Sequence, residues 1–389
     1  MADYPVKWFS NDMGGAPALG DTSAGDFIAL LKACLITGFN VTPVASATYE
    51  AESSEVLVTL TTGHGFKAWQ VIEVSGADQE SYNGQHRVTS VGSDWVRYAP
   101  DSAPSVSPAT GSTIEIKAAP VGGWQVADED ASTHRIAFRR TGAAATDHVL
   151  MIENNGNQGD RSAQWLARMR VCESFVDIET FEEVAVQYWP ASHRYSTPEW
   201  AIVADELMMF FTTRYGHIDK RSTLVAGNLN TIRPGDASHF IINGADKSSS
   251  AEWNNNHSFY AGFGSLASIN YRSIARAYHQ LPGSTTWALK GIGTQMGGPF
   301  KYPNPQTNGF YISPNELMVM ESEGLRGYMP GLMQPLQSSP VYHAAILDNL
   351  PGLEGIPVLL WSTTLGREYY TDEVLLAWRL DDWRKGVGA

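Results

Sequence analysis

Between residues 119 and 389 the sequence is a succession of short apolar segments separated by Gly, Pro and Asn, and this pattern constrains the fold most. Segments such as 149–152, 207–211 and 358–361 have the length and the β-branched and aromatic content of strands. Helical periodicity is weak in this part of the chain. We therefore predict a mainly β (α+β) protein in which residues 119–389 form a large β-rich, sandwich-like domain.

A separate small β-module, barrel-like in character, is predicted over residues 54–118. Val56, Val58 and Leu60 alternate with polar residues, as in a half-buried strand. Asn83-Gly84 is a two-residue hairpin signal between two further strand-like segments. The module therefore has its own alternation pattern and its own turns.

Residues 1–53 are predicted to form an N-terminal arm and a short helix. Thr22 or Ser23 can cap the helix and Gly38 can end it. Its apolar face consists of Phe27, Leu30, Leu31, Cys34 and Leu35. The spacing leaves open whether Phe27, Leu30, Leu31 and Leu35 pack on their own domain or on a neighbouring subunit. The arm, residues 1–20, is poor in apolar residues, and we expect it to reach an adjacent subunit.

Composition narrows the classes of partner. The formal net charge is −14 with no compensating basic run, so nucleic-acid binding is not expected. No apolar run of the length needed for a membrane span occurs. Charged residues make up 17% of the chain, against roughly 25% in typical soluble domains. Cys34 and Cys172 are expected to be buried thiols rather than a disulfide.

No catalytic, cofactor-binding or metal-binding motif stands out, and we expect the chain not to be an enzyme. Ser265 lies in Gly-Phe-Gly-Ser-Leu rather than in a Gly-x-Ser-x-Gly elbow. The acidic clusters are interpreted as solvated surface acids, although a suitably separated pair could hydrolyse glycosides. One segment offers rings and amides that a carbohydrate could contact, through Trp253, His257 and Tyr260, and its alternative interpretation is a packed loop tip.

The N-terminal region contains Gly15-Ala16-Pro17 in the arm, Ala33-Cys34-Leu35 near the end of the predicted helix, and Gly38-Phe39 after it. These segments resemble the start of a family of phage and prophage structural proteins, whose members share an arm with Gly-Ala-Pro, a short helix ending in Ala-Cys-Leu, and a Gly-Phe turn. The stretch from Thr61 to Val88 is similar to a small β-module known from ubiquitin-activating enzymes, which recurs in phage virion proteins as a spacer or decoration.

Further landmarks extend this resemblance over nearly the whole chain. They are Glu173-Ser174-Phe175-Val176-Asp177, Tyr188-Trp189-Pro190-Ala191-Ser192, Trp200 with Asp205, Gly227-Asn228-Leu229 with Gly235-Asp236, and Leu325-Arg326-Gly327-Tyr328-Met329-Pro330-Gly331-Leu332. The last is the most specific. The C-terminal Asp381-Asp382-Trp383-Arg384 departs from the Gly-Pro-Trp-Arg type of ending that the family leads one to expect.

The resemblance implies a structural component of a tailed bacteriophage virion, made in the cytoplasm of the bacterial host. An oligomeric tail, baseplate or neck protein is the leading hypothesis, with copies of itself and other virion proteins as partners. The alternative is a receptor- or carbohydrate-binding virion protein that contacts host surface glycan. A low charged fraction and abundant aromatic residues suit either role. The resemblance implies no catalytic residues and no cofactor.

Overall fold

The computed structural model describes residues 4–20, 24–61, 63–154, 166–191, 199–215, 220–244, 272–292, 300, 302–337, 342–364 and 373–385. Over these residues the protein is mainly β with one short α-helix, which confirms the predicted fold class. The largest hydrophobic cluster includes residues from the helix, a closed barrel and all three sheets. The parts therefore share one core.

The N-terminal arm folds back onto its own chain. Strand β1 (Lys7–Ser10) lies antiparallel to residues 201–204, with Lys7 opposite Ala204 and Ser10 opposite Ala201. All four of its side chains are buried, and Trp8 and Phe9 join the main core. The prediction that the arm reaches an adjacent subunit is therefore wrong for this strand, because the chain's own sheet covers its side chains and pairs with the backbone of one of its edges.

Helix α1 (Asp26–Lys32) continues into a π-helical turn (Ala33–Thr37) and ends at Gly38, as predicted, whose φ of 74° favours glycine. Gly25 precedes the helix and no side chain of its own segment caps it. Instead Asn154 Oδ1 accepts hydrogen bonds from the Gly25 and Phe27 backbone N–H groups, at 2.9 and 3.3 Å. The predicted caps Thr22 and Ser23 lie outside the described residues.

Six strands close the small barrel in the order β2-β3-β6-β5-β4-β7. They are β2 (Phe39–Glu50), β3 (Glu55–Leu60), β4 (Val71–Ser75), β5 (Gly84–Val91), β6 (Trp95–Tyr98) and β7 (Glu115–Ala118). Val56, Val58 and Leu60 point into the barrel, as their alternation predicts. The barrel includes β2, so it begins earlier than the boundary predicted at residue 54.

The Asn83-Gly84 pair does not form the predicted two-residue hairpin. The connection from β4 to β5 includes a 3₁₀ turn (Glu80–Tyr82), and Gly84 is already the first residue of β5. The Asn83 side chain closes this wider loop by accepting a hydrogen bond from Ala77 N at 3.0 Å and donating one to Ala77 O at 2.8 Å. The Asn83 side-chain amide therefore binds the backbone on the other side of the loop, and the Asn-Gly dipeptide alone does not predict this contact.

The next five strands form an antiparallel meander in chain order. They are β8 (Trp124–Asp130), β9 (Arg135–Arg140), β10 (Val149–Glu153), β11 (Leu166–Asp177) and β12 (Thr180–Pro190). Cys34 and Cys172 are both free and buried, as expected from the burial preference of cysteine in a protein made in the cytoplasm.

Two larger sheets complete the fold. The first has the order β1-β13-β14-β15-β17-β18-β19. Its strands after β1 are β13 (Trp200–Ala204), β14 (Met208–Tyr215), β15 (Lys220–Asn228), β17 (Phe240–Asn243), β18 (Arg272–Ile274) and β19 (Thr285–Thr286). Between β15 and β17 the chain forms β16 (Asn230–Thr231), which pairs with the second sheet.

The second sheet has the order β20-β21-β22-β25-β24-β23, with β16 added to β22. Its strands are β20 (Ala288–Lys290), β21 (Ile312–Glu321), β22 (Gly324–Pro335), β23 (Ala345–Leu350), β24 (Leu353–Thr364) and β25 (Glu373–Arg379). The segment between β15 and β17 of the first sheet therefore contributes one short strand, β16, to the second sheet. In the part of the chain that the structure describes, no helix is long and apolar enough to cross a membrane.

Candidate functional site

The helix face proposed for a neighbouring subunit lies inside the protein. Phe27, Leu30, Leu31 and Leu35 are each 0% exposed. The Phe27 ring lies 5.1 Å from the Phe211 ring, between centroids. The face therefore packs on its own domain, which is the other interpretation that the spacing left open. Because no area of these side chains remains exposed, none of the four can contact a second subunit.

The suggested glycan contacts Trp253, His257 and Tyr260 lie outside the described residues. They therefore stay a prediction from sequence, and so does the carbohydrate-binding role that rests on them.

Several of the segments singled out in the sequence meet at one place, where β16 pairs with the second large sheet. We call this place the sheet junction. It is formed by Asp205, Asn228, Asn230, Asp236, Arg326 and Arg384. All of these residues except Asn230 belong to sequence segments singled out above. Landmarks more than 150 positions apart in the chain are thus brought into contact, as the 179-residue separation of Asp205 and Arg384 illustrates.

Arg384 binds Asp205 through two parallel hydrogen bonds. Its Nε donates to Asp205 Oδ2 at 2.6 Å and its Nη2 to Oδ1 at 3.1 Å. The remaining nitrogen, Nη1, donates to Asn228 O at 3.0 Å and to Asn230 Oδ1 at 2.8 Å. Asp205 is 1% exposed. Two parallel hydrogen bonds between a guanidinium and a carboxylate fix the orientation of both groups in addition to pairing their charges. The C-terminal segment is therefore held against the turn between β13 and β14.

Arg326 lies between two carboxylates, and none of the three side chains is exposed. Its Nε and Nη2 donate to Asp236 at 2.5 and 2.7 Å, and its Nη1 donates to Glu321 at 2.9 Å. Burial opposes charge on Asp236, but the Arg326 hydrogen bonds outweigh it and lower the pKa of that carboxyl. Asp236 therefore stays charged, and its pairing with Arg326 binds β22 to the loop that follows β16.

Arg140 is a buried cation whose two terminal nitrogens bind carbonyl and amide oxygens. It donates to Asn228 Oδ1, to Thr146 O at 3.2 Å and to His148 O, and it lies over the Phe240 ring at 4.3 Å. Burial and then the charge of Arg384 lower its pKa to about 9. This guanidinium extends the junction toward the strands β9 and β10.

His148 is buried beside Arg140. Neither of its ring nitrogens has a hydrogen-bond partner in the described structure. Its ring stacks on Phe240 at 6.1 Å between centroids. Burial and the neighbouring Arg140 charge lower the pKa of His148 to about 4. The imidazole is therefore neutral in the folded protein at neutral pH.

The specific motif near the C-terminus contributes its glycines to close contacts. A Cβ at Gly331 would overlap the Trp383 ring, and the φ of 66° at this residue also favours glycine. Gly331 N donates to Glu316 Oε1 at 2.7 Å. Burial raises the pKa of Glu316. Trp383 and Arg384, the last two residues of the C-terminal segment Asp381-Asp382-Trp383-Arg384, thus occupy defined places in the junction.

An open cleft of about 670 Å³ lies over the sheet junction. Its lining includes Glu206, Arg233, His239 and Arg384 together with small residues such as Ala144. Arg384 is held there by Asp205, and Arg233 donates to the Leu325 and Glu323 carbonyl oxygens at 2.8 and 3.3 Å. In the described ranges no group of three or more His, Cys, Asp or Glu side chains is placed to hold a metal ion. Arg384 and Arg233 are thus both bonded to other parts of the same chain.

Reasoning from sequence alone missed several members of this network. Asn230, Glu321 and Arg140 carry no motif. Asn230 and Arg140 acquire their partners from distant parts of the chain, whereas Glu321 is paired with Arg326 across the turn between β21 and β22. The signal that was present is a charged residue inside an apolar strand, as at Arg326. Such a residue is rare unless it is paired.

Comparison with known proteins adds little. No family model matches the sequence, and no curated protein matches it at a significant level. Among solved structures, the chain is similar to the phage phi92 endosialidase, with 10% identity and a TM-score of 0.18, over 88% of this chain and 52% of that one. The chain thus spans about half the length of the structure that it matches. A score this low carries no argument about fold or activity.

Proposed function

We propose that this chain is a structural component of a tailed bacteriophage virion, an oligomeric protein of the tail, baseplate or neck. Its partners are copies of itself and other virion proteins, and its place is the assembled particle. The observation that carries the proposal is the sheet junction. Several of the segments by which the chain resembles phage structural proteins, those with Asp205, Asn228, Asp236 and Arg326, hold its sheets together.

The physical properties of the junction suit a building block. Buried ion pairs contribute little net stability, but losing one partner leaves an uncompensated charge. Sheets joined through Arg326 and Arg384 therefore tolerate few alternative arrangements. A particle subunit that repeats the same contacts in many copies needs such a fixed shape.

The chain's composition also suits assembly. The charged fraction is 17% and the aromatic fraction 11%. Interface cores are depleted in charge and enriched in aromatic residues. The net charge of −14 disfavours a role that contacts nucleic acid directly.

The test is complementation of a phage whose copy of this gene is deleted. Particles made with the wild-type chain should contain it after two gradient purifications, and antibody-gold should label the tail, baseplate or neck. The chain carrying Arg97→Met, at an exposed pair in the barrel, should be incorporated equally well. The chain carrying Arg326→Met should be depleted from particles.

Two outcomes would contradict the proposal. One is a wild-type chain that is abundant in the lysate but absent from purified, infectious particles. The other is a deletion mutant whose particles are complete and infectious. Labelling confined to a fibre tip, with binding to host cells, would support the receptor-binding alternative instead.

A further inference from the structure

Three side chains far from the sheet junction form a continuous hydrogen-bonded chain. Ser362 Oγ lies 2.9 Å from His343 Nδ1, and His343 Nε2 lies 2.9 Å from Glu199 Oε1. Ser362 belongs to β24, His343 precedes β23, and Glu199 precedes β13. A hydroxyl, an imidazole and a carboxylate in this order are the parts of an activated serine nucleophile.

The hydrogen-bond network fixes the protonation of the imidazole. The Ser362 backbone N–H donates to His343 Nδ1 at 3.1 Å, so Nδ1 is the unprotonated ring nitrogen. The proton is therefore on Nε2, which donates to Glu199. The Ser362 hydroxyl then donates its proton to Nδ1. This is the proton position that a general base needs before it acts.

Glu199 is held in its charged form. Its Oε2 lies 3.0 Å from Arg221 Nε and 2.8 Å from Arg214 Nε. Burial alone would raise its pKa, but the hydrogen bond from His343 and the interactions with Arg221 lower the pKa of Glu199 to about 2. The carboxylate can therefore stabilise a positive charge that forms on His343.

Arg221 also reaches the hydroxyl directly. Its Nη1 donates to Ser362 Oγ at 3.0 Å. A cationic donor at this position stabilises negative charge that develops on or beside the serine oxygen. The Trp361 ring lies edge-on to the His343 ring, 4.8 Å away between centroids, and limits how the imidazole can turn.

We propose that Ser362 is a nucleophile that accepts the acyl group of a small carboxylic ester, with His343 as its general base and Glu199 as a positioning residue. Ser362 Oγ attacks the ester carbonyl carbon while its proton passes to His343 Nδ1. The bond to the alcohol oxygen breaks, and the leaving alkoxide takes the proton from Nδ1. Water then hydrolyses the acyl-serine, releases the carboxylic acid and restores the hydroxyl.

Exposure sets the size of the substrate. The side chains of His343 and Glu199 are 25% and 23% exposed, whereas Ser362 is 1% exposed. The hydroxyl is therefore almost fully covered, which limits the proposed acyl group to few atoms, and the solvent-exposed side of the site is formed by His343 and Glu199. Sequence predicts no catalytic residue here, because Ser362 lies within an apolar strand rather than at a Gly-x-Ser-x-Gly elbow. The proposal is independent of the place of the chain in a virion.

The experiment uses the purified full chain with p-nitrophenyl acetate. We expect a burst of p-nitrophenol and one acetyl group per chain, located on Ser362 by peptide mass mapping. Ser362→Ala should remove the adduct, and His343→Gln should slow acylation by about 100-fold or more. Thr363→Ser, at the neighbouring strand position, is the matched control and should leave acylation unchanged. Thermal melting of each variant shows whether it is folded.

The role of Glu199 has its own readout. Glu199→Gln should move the rise of the acylation rate to lower pH, because the protonated imidazole loses its counter-charge. A merely structural role would change stability without moving the profile. The proposal is overturned if folded wild-type protein carries no acetyl group on Ser362. It is equally overturned if acylation of Ser362 is unchanged in a folded His343→Gln variant.

Discussion

The small barrel and the sheet junction are held together in different ways. The barrel is built from consecutive strands between Phe39 and Ala118, and its interior is largely apolar, with His86 among its few buried polar side chains. Its ion pair between Arg97 and Glu50 lies at the surface, with side chains 24% and 37% exposed. The junction instead buries charged side chains whose partners come from distant parts of the sequence. An apolar interior tolerates small changes of shape, whereas a buried charge requires its partner.

The largest effect is expected from Arg326→Met. The substitution leaves the Asp236 and Glu321 carboxylates buried without a cation, which should cost about 3–5 kcal/mol of unfolding free energy. Arg97→Met in the barrel removes an exposed pair and should cost less than ~1 kcal/mol. Urea unfolding of the three proteins measures both values.

The cause of the Arg326→Met effect can be separated from its size. Adding Asp236→Asn and Glu321→Gln to Arg326→Met neutralises the remaining charges and should recover part of the loss. If Arg326→Met and Arg97→Met lowered the free energy of unfolding equally, the buried ion pairs of the junction would be no more sensitive to the loss of a partner than the ion pair at the barrel surface.

A smaller effect is expected from the pH dependence of His148. Its pKa is about 4 in the folded protein, below its ordinary value of 6.5. Because the unfolded chain binds a proton that the folded protein excludes, this contribution to stability is complete above about pH 6.5 and is lost as the pH falls toward about 4. The loss amounts to about 3 kcal/mol.

His148→Phe keeps a ring against Phe240 and removes the titrating group. Urea midpoints at about pH 7 and about pH 4.5 should therefore differ less in this variant than in the wild type. His86 and His239 also have lowered pKa values and should retain their own share of the dependence. If the difference between the two urea midpoints were the same in His148→Phe as in the wild type, His148 would not be the source of the pH dependence.

The smallest effect is expected in the barrel core. Ile116 is 0% exposed, and Ile116→Val deletes one methylene at a site that can partly close around the gap. We expect a loss of about 0.5–1.5 kcal/mol. Thermal unfolding measures it, with Ile114→Val, at a half-buried position just before β7, as the control. If Ile116→Val lowered the free energy of unfolding as much as Arg326→Met does, the barrel core would be as sensitive to substitution as the junction.

Much of the barrel was predictable because its signals are local. Val56, Val58 and Leu60 alternate in sequence and lie on one face of a strand in the structure. The turn at Asn83-Gly84 was not predictable from the dipeptide, because the Asn83 side chain bonds across the loop to Ala77. Local preference gave way there to a contact that forms only once the loop has closed.

The helix and the arm show the same limit. The spacing of Phe27, Leu30 and Leu31 established an apolar helix face but not its partner. The structure places that face against Phe211 and its neighbours, in the same chain. The arm strand β1 pairs with β13, about 190 positions further along the sequence. Periodicity specifies which side of an element is buried, and long-range pairing specifies against what.

By itself, the sequence determined a mainly β protein with one short N-terminal helix and a small β-module, and a buried state for Cys34 and Cys172. These follow from period-two alternation, turn residues and burial preference, which act over a few residues. Only the tertiary structure decided that Arg326 meets Asp236 and Glu321, and that Ser362, His343 and Glu199 form one hydrogen-bonded chain. The physical reason is that hydrogen bonds and ion pairs act over a few ångströms in space, and separation in sequence does not encode that distance.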